Sequence, residues 1–255
     1  MVCVCFLGLL YACGTNKTNF NNNKMSDWSK YDVGRVDFQN LAPETEGAKL
    51  YARIVPKPER FIKECARQVL ATLYFSPADS IPDIRTITYK LMAFDGISAK
   101  DGNPPAITVV YSTRWLEKSY KGDLKKLKTE NRGVLLHELT HGFQLEPQGI
   151  GTYSTNKTFW AFIEGMADAV RYVNGGFTLA DRPKGGSYKD GYRTTGFFLA
   201  WLMQTKDADF LRKFNQSTLH VIPWSFDGGI RYALGEQYDI DELWKEYMVA
   251  MGDDL

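Results

Sequence analysis

Residues 133–145 read GVLLHELTHGFQL, an apolar run that carries two of the chain's three histidines, His137 and His141, four positions apart. The spacing of its apolar residues predicts a helix from about Arg132 to Leu145. Four residues along an α-helix advance ~6 Å and return to within ~40° of the starting direction, so both imidazoles leave one face toward one point. They can share a metal ion there. Glu138 stands one residue on, where it need not coordinate but can reach a water on that ion and take its proton. A zinc ion that performs chemistry needs three protein ligands and one open position, so a further His, Asp or Glu is expected elsewhere.

The third histidine, His220, sits in TLHVIP far along the chain and in no motif, and reads as a packed or surface residue. A better source of the third ligand is FWAFIEGMADAVRY at 159–172, within a predicted helix from Thr158 to Val173. That helix is apolar almost all round and should be buried, and charges on a buried helix need partners or a metal. Glu164, Asp168 and Arg171 fall at i, i+4 and i+7, on one face. If this face looks at the histidines, Glu164 is the third ligand and Asp168 accepts the outward N–H of a ligand histidine. The alternative is an internal ion-pair network among the three charges, with no metal and a fortuitous H-E-x-x-H.

Working outward, residues 58–74 place apolar side chains at helical spacing behind a proline, which predicts an amphipathic helix with one buried face. Thr86 to Phe94 alternates with a period of two, and Ala106 to Tyr111 (AITVVY) is β-branched between turn residues, so both read as strands, paired with one another. Further helices are predicted over Gly191 to Gln204, Ala208 to Asn215 and Asp241 to Met251. Strands first and helices after give an α+β domain, not an alternating parallel one. No second linker interrupts residues 33–255, which are expected to form one unit.

The ends and the composition set further bounds. With 31 Lys and Arg against 30 Asp and Glu, the formal charge is +1, which supplies no general field for nucleic acid, and no nucleic-acid partner is expected. Lys125, Lys126 and Lys128 form the one local basic cluster and read as a solvated helix face. The apolar start is too short to span a membrane but suits an export signal over 1–13, ending in Leu10-Tyr11-Ala12-Cys13-Gly14, which resembles a bacterial lipobox with Cys13 as lipid anchor. Asn-rich residues 14–32 read as a disordered tether. The expected location is therefore outside the cytoplasm, as a membrane-anchored lipoprotein or a secreted protein. Cys65, the only cysteine beyond the leader, lies on an apolar helix stripe and reads as a buried thiol.

The run from Gly133 through Met251 resembles the plant basic secretory protein family, secreted zincin-like peptidases with bacterial members. The residues that carry the likeness are GVLLHELTHGFQ (133–144), FIEGMADAVRY (162–172), DGYRTTGFFLAWL (190–202), FLRKFN (210–215) and IDELWKEYM (240–248). Glu164-Gly165-Met166-Ala167 is also similar to the Glu-Gly-x-Ala segment that supplies the third zinc ligand in gluzincin aminopeptidases, although the spacer from His141 is longer here. The resemblance implies a zincin-like metallopeptidase fold, with a small N-terminal sheet, an active-site helix and a helical C-terminal lobe. It also implies an edge strand that binds an extended peptide by main-chain pairing. It places the helix begun by Tyr192 next to the site, which makes Tyr192 the choice for steadying the oxyanion, with Tyr153 and Tyr188 as alternatives. The expected activity is zinc-dependent peptide-bond hydrolysis, as an endopeptidase acting on a peptide or protein substrate. The rivals are a zincin-fold surface protein that binds peptide or glycan without cleaving it, and a hydrolase of cell-wall crosslinks.

Overall fold

In the computed structural model, which describes residues 28–253, the alternating segment after Arg85 forms a strand with Ile87, Tyr89 and Leu91 buried and Thr88 and Lys90 half-exposed. It is flanked by β1 (Arg35–Asn40) on one side and by the β-branched run on the other, so β2 (Thr86–Met92) is central. β3 (Ser98–Asn103) and β4 (Ala106–Ser112) complete a four-stranded sheet of order β1-β2-β4-β3. β2 and β4 do pair, and they run parallel, in register from Thr86↔Ala106 to Met92↔Ser112. The chain can return parallel because β3 first carries it back along the outside, antiparallel to β4 from Ser98↔Tyr111 to Asn103↔Ala106. β3 is therefore an edge.

The parallel join of β1 to β2 requires a crossover, made by α1 (Glu46–Ile54) and α2 (Pro58–Leu73). α2 starts on its proline and buries Ile62, Cys65, Ala66, Val69, Leu70 and Leu73. Burial pushes the Cys65 thiol up to about 12, which keeps it protonated and unreactive. After α3 (Thr113–Ser119), α4 (Leu124–Phe143) packs between α2 and the β3–β4 hairpin. α4 starts two turns earlier than its apolar pattern predicts. Its first turns, LKKLKTEN, are largely solvated and show no apolar stripe; Asp123 starts them by accepting the Lys125 and Lys126 N–H groups at 2.9 and 3.1 Å.

α5 (Lys157–Val173), capped by Asn156, is buried from Ala161 through Arg171. Against it lies α6 (Tyr192–Thr205), and the two backbones meet through glycine. A Cβ at Gly165 would come within 2.4 Å of Thr195 Cγ2, and one at Gly196 within 2.8 Å of Asp168 Cβ and the Ala169 nitrogen. α7 (Phe210–His220), α8 (Phe226–Leu234) and α9 (Ile240–Met251) finish the helical lobe around an aromatic cluster in which Trp224 meets Phe162 at 4.7 Å and Phe226 at 5.1 Å. A two-pronged pair of Arg182 with Asp253, at 2.7 and 2.6 Å, ties the C-terminal end back to the lobe.

The architecture is α+β with a small mixed sheet and many helices. The folded body begins earlier than the sequence indicates: Trp28 is 1 % exposed in the core and Arg67 Nε donates to the Tyr31 carbonyl at 3.1 Å, so residues 28–32 belong to it and not to a tether. The leader 1–13 with Cys13, and tether residues 14–27, lie outside the described residues. Among the described residues, no helix is long and apolar enough to cross a membrane.

Candidate metal centre

His137 and His141 leave the last two turns of α4 toward α5, where Glu164 meets them. His137 Nε2 lies 3.0 Å from His141 Nε2 and 3.3 Å from Glu164 Oε2, and His141 Nε2 lies 3.6 Å from the same oxygen. A tetrahedral site with ~2.05 Å bonds has ligand-to-ligand edges of ~3.3 Å, so the three atoms already stand at the corners of such a site. The donor set, two imidazoles and a carboxylate, could hold a divalent metal ion, and the three ligand atoms lie within 4.8 Å of one another.

The surrounding atoms fit that role. Asp168 Oδ1 accepts from His137 Nδ1 at 2.7 Å, which turns Nε2 toward the position a metal would take. His141 Nδ1 is met at 3.0 Å by the side-chain amide of Gln144, whose buried Oε1 has no hydrogen-bond partner. With Oε1 turned to the ring, the amide accepts from Nδ1, which carries the proton in a histidine that binds metal through Nε2. Glu164 Oε1 accepts from the Tyr153 hydroxyl at 2.5 Å, while Oε2, the atom facing both imidazoles, is buried without a hydrogen bond. An orphaned carboxylate oxygen in this setting is the atom a cation would satisfy.

The electrostatics agree. Burial alone would push the His137 imidazole down, but Asp168 and Glu164 outweigh it and hold it up at about 10. Burial raises the Glu164 carboxyl, yet His137 and His141 hold it well below the usual carboxylate range. The cluster therefore draws positive charge to itself, as a proton or as a metal.

Glu138 is 5 % exposed and points the other way round α4, toward the sheet, where Ser98 Oγ on the edge strand donates to its Oε1 at 2.5 Å. It lines, with Ser98, Ala99 and Lys100 of β3, a cleft of about 410 Å³ that also holds the two histidines and Glu164. Tyr192 stands at the rim, 47 % exposed, its ring stacked on His137 at 6.1 Å. Its φ of +41° follows Gly191 at +70°, and a left-handed phenol-bearing residue costs about 1–2 kcal/mol, a strain held in place by Trp160 edge-on at 5.6 Å. Burial, then Glu164 and Asp168, raise the Tyr192 hydroxyl above its ordinary pKa, so it stays a donor. Tyr153 lines the cleft as well. Tyr188 does not: it is 7 % exposed, with its hydroxyl on Asp241 at 3.0 Å.

The face of α5 predicted to look at the histidines divides. Glu164 and Asp168 reach them; Arg171, two turns on from Glu164, pairs instead with Glu130 at 2.7 Å. His220 is exposed and stacks on Tyr232 at 5.2 Å, away from the cluster. Ser98 was invisible to sequence reasoning because β3 itself was. Gln144 was readable in principle, since it follows His141 by three positions, at the C-terminal cap of the same helix. Comparison with curated proteins and with solved structures gives no match. Residues 33–247 match the family model BSP, described as a peptidase of plants and bacteria, and the chain belongs to that family.

Proposed function

We propose that the protein is a zinc-dependent peptide-bond hydrolase of the H-E-x-x-H type, acting as an endopeptidase on extended segments. The observation that carries this reading is Glu138: a carboxylate, held by Ser98, next to a His-His-Glu donor set in one open cleft. A site built only to bind peptide or stabilise the fold needs no such base. Zinc bound by His137, His141 and Glu164 supplies Lewis acidity and lowers the pKa of a water to ~7.

The rest is the work of this chain's own groups. Asp168 and Gln144 fix the ring orientations of the two histidines, and Tyr153 fixes the Glu164 carboxylate. Glu138 Oε2 takes the water's proton and later delivers it to the departing amine, while Ser98 keeps Oε1 from rotating into the cleft. Tyr192 donates to the oxygen of the scissile carbonyl as charge develops there. The β3 edge at Ala99 and Lys100 offers unpaired main-chain groups along which an extended substrate can pair.

The test is incubation of purified protein with unfolded casein and with peptidoglycan, each with and without chelator, alongside metal analysis. The expected result is one zinc per chain and casein cleavage that chelator abolishes and zinc restores. Stoichiometric zinc with no cleavage would overturn the hydrolase reading in favour of a binding protein, and cleavage of peptidoglycan alone would redirect it to cell-wall crosslinks.

A further inference from the structure

A second, larger groove opens from the cluster on the other side of Tyr192. It measures about 1170 Å³, shares His137, Asp168 and Tyr192 with the site, and runs back along α4 to its first turn. Its floor is apolar, with half-buried Trp115 and Phe177 and exposed Ile97. Its charges are unequal in availability. Every carboxylate is engaged: Asp123 caps α4, Glu130 pairs with Arg171, Asp168 holds His137, and Asp181 accepts the Thr178 N–H and hydroxyl at 2.7 and 2.8 Å. The exposed cations Lys125, Lys126 and Arg193 have no carboxylate within ion-pair distance among the described residues; Arg193 donates only to the Asp181 carbonyl at 3.2 Å. Lys125 and Lys126 also stand in the first turn of a helix, where the macrodipole favours acids.

The placement is regular along α4. Lys126 precedes His137 by eleven residues, which brings it to within ~20° of the same helix face and ~16 Å back along the axis. Gly133 lies between them on that line, buried, with Arg171 and Gly176 packed against it as the wall of the groove; a Cβ there would stand 2.7 Å from Arg171 Nε. An extended peptide advances ~3.3 Å per residue, so a chain crossing the site at His137 reaches the lysines about five residues later.

We propose that this groove is an extended substrate subsite that selects acidic peptide segments. Arg193 takes an acidic side chain close to the scissile bond, and Lys125 and Lys126 take acidic residues about five positions from it. The assignment rests on the peptidase reading and narrows it: the preferred substrate is an unfolded acidic stretch long enough to span the groove, cut internally.

The experiment uses internally quenched peptides that share one central sequence and carry Glu, Ala or Lys about five residues from the scissile bond, on one side or the other. With zinc-loaded protein, the expected result is a kcat/KM about tenfold higher for Glu than for Lys on one side only, with the gap narrowing as salt is raised. The ratio should invert in the combined variant Lys125→Glu, Lys126→Glu, Arg193→Glu. Because the ratio compares peptides on one preparation, loss of folded protein cancels. Equal cleavage of all peptides, or an unaltered ratio in the variant, overturns the acidic subsite and leaves the peptidase reading standing. Failure of the zinc-loaded protein to cut any of the peptides, the Ala series included, overturns both.

Discussion

Two clusters of buried charge stand on one face of α5, two turns apart, and they are finished to different degrees. At the far end, Arg171 gives Nη2 to Glu130 at 2.7 Å, its Nε to the Gly176 carbonyl, and its flat face to Phe177 at 3.8 Å. Charge is balanced and the guanidinium is surrounded. At the near end, Glu164 and two imidazoles crowd together, with Oε2 lacking a hydrogen bond and a cleft in front. A closed pair of this kind holds helices together, whereas a buried cluster with an orphaned oxygen is a place for something that arrives later.

The sharpest test of that contrast leaves both clusters intact and removes only the base. Glu138→Gln should keep one zinc per chain and lower turnover by about a thousandfold or more; wild-type rates in this variant would remove Glu138 from the chemistry. Next, the two ends should separate cleanly under truncation. Glu164→Ala should lose stoichiometric zinc, read by metal analysis. Glu130→Ala should keep it and instead cost about 3 kcal/mol of unfolding free energy, because Arg171 is left buried without its carboxylate. Zinc loss in the second variant, or retention in the first, would collapse the distinction.

Smaller effects sharpen it further. Gln144→Ala should weaken zinc about 10- to 100-fold through loss of the acceptor on His141, measured by chelator competition. The pH response has a definite sign. His137 in the metal-free protein stands at about 10, above its ordinary value, so its protonated form stabilises the apo fold below pH ~6.5 and that contribution is lost as pH rises through about 10. Zinc must displace the same proton, so its apparent affinity should climb between roughly pH 7 and pH 9. A flat affinity over that range would mean that His137 carries no proton to lose.

The sequence reveals those parts of the molecule whose periodicity or motif is local. α2, α5 and the centre of α4 bury one continuous stripe or nearly their whole circumference, and their apolar spacing shows it. β2 alternates because one of its faces is core. β1 and β3 escape for the opposite reason: β1 buries only Val36 fully, and β3, SAKDGN, has no β-branched residue and is extended only because β4 holds it. α8, with two adjacent glycines, likewise gives no helical signal of its own. The meeting of Glu164 and Asp168 with His137 could be argued from a buried helix face, but the fate of Arg171 could not. Its partner, Glu130, lies in the solvated first half of α4, where spacing is silent.

The contact between α5 and α6 at Gly165 and Gly196 sets where Tyr192 stands relative to His137. A single added methyl at either position would wedge the helices apart and carry the rim of the cleft with them. A saturation scan for loss of the proposed hydrolysis should therefore score residues 165 and 196 alongside Glu138, although neither glycine has a side chain that can bind, donate or accept in the cleft. On the proposed hydrolase reading, thinness at these two positions is as much a requirement of turnover as reactivity.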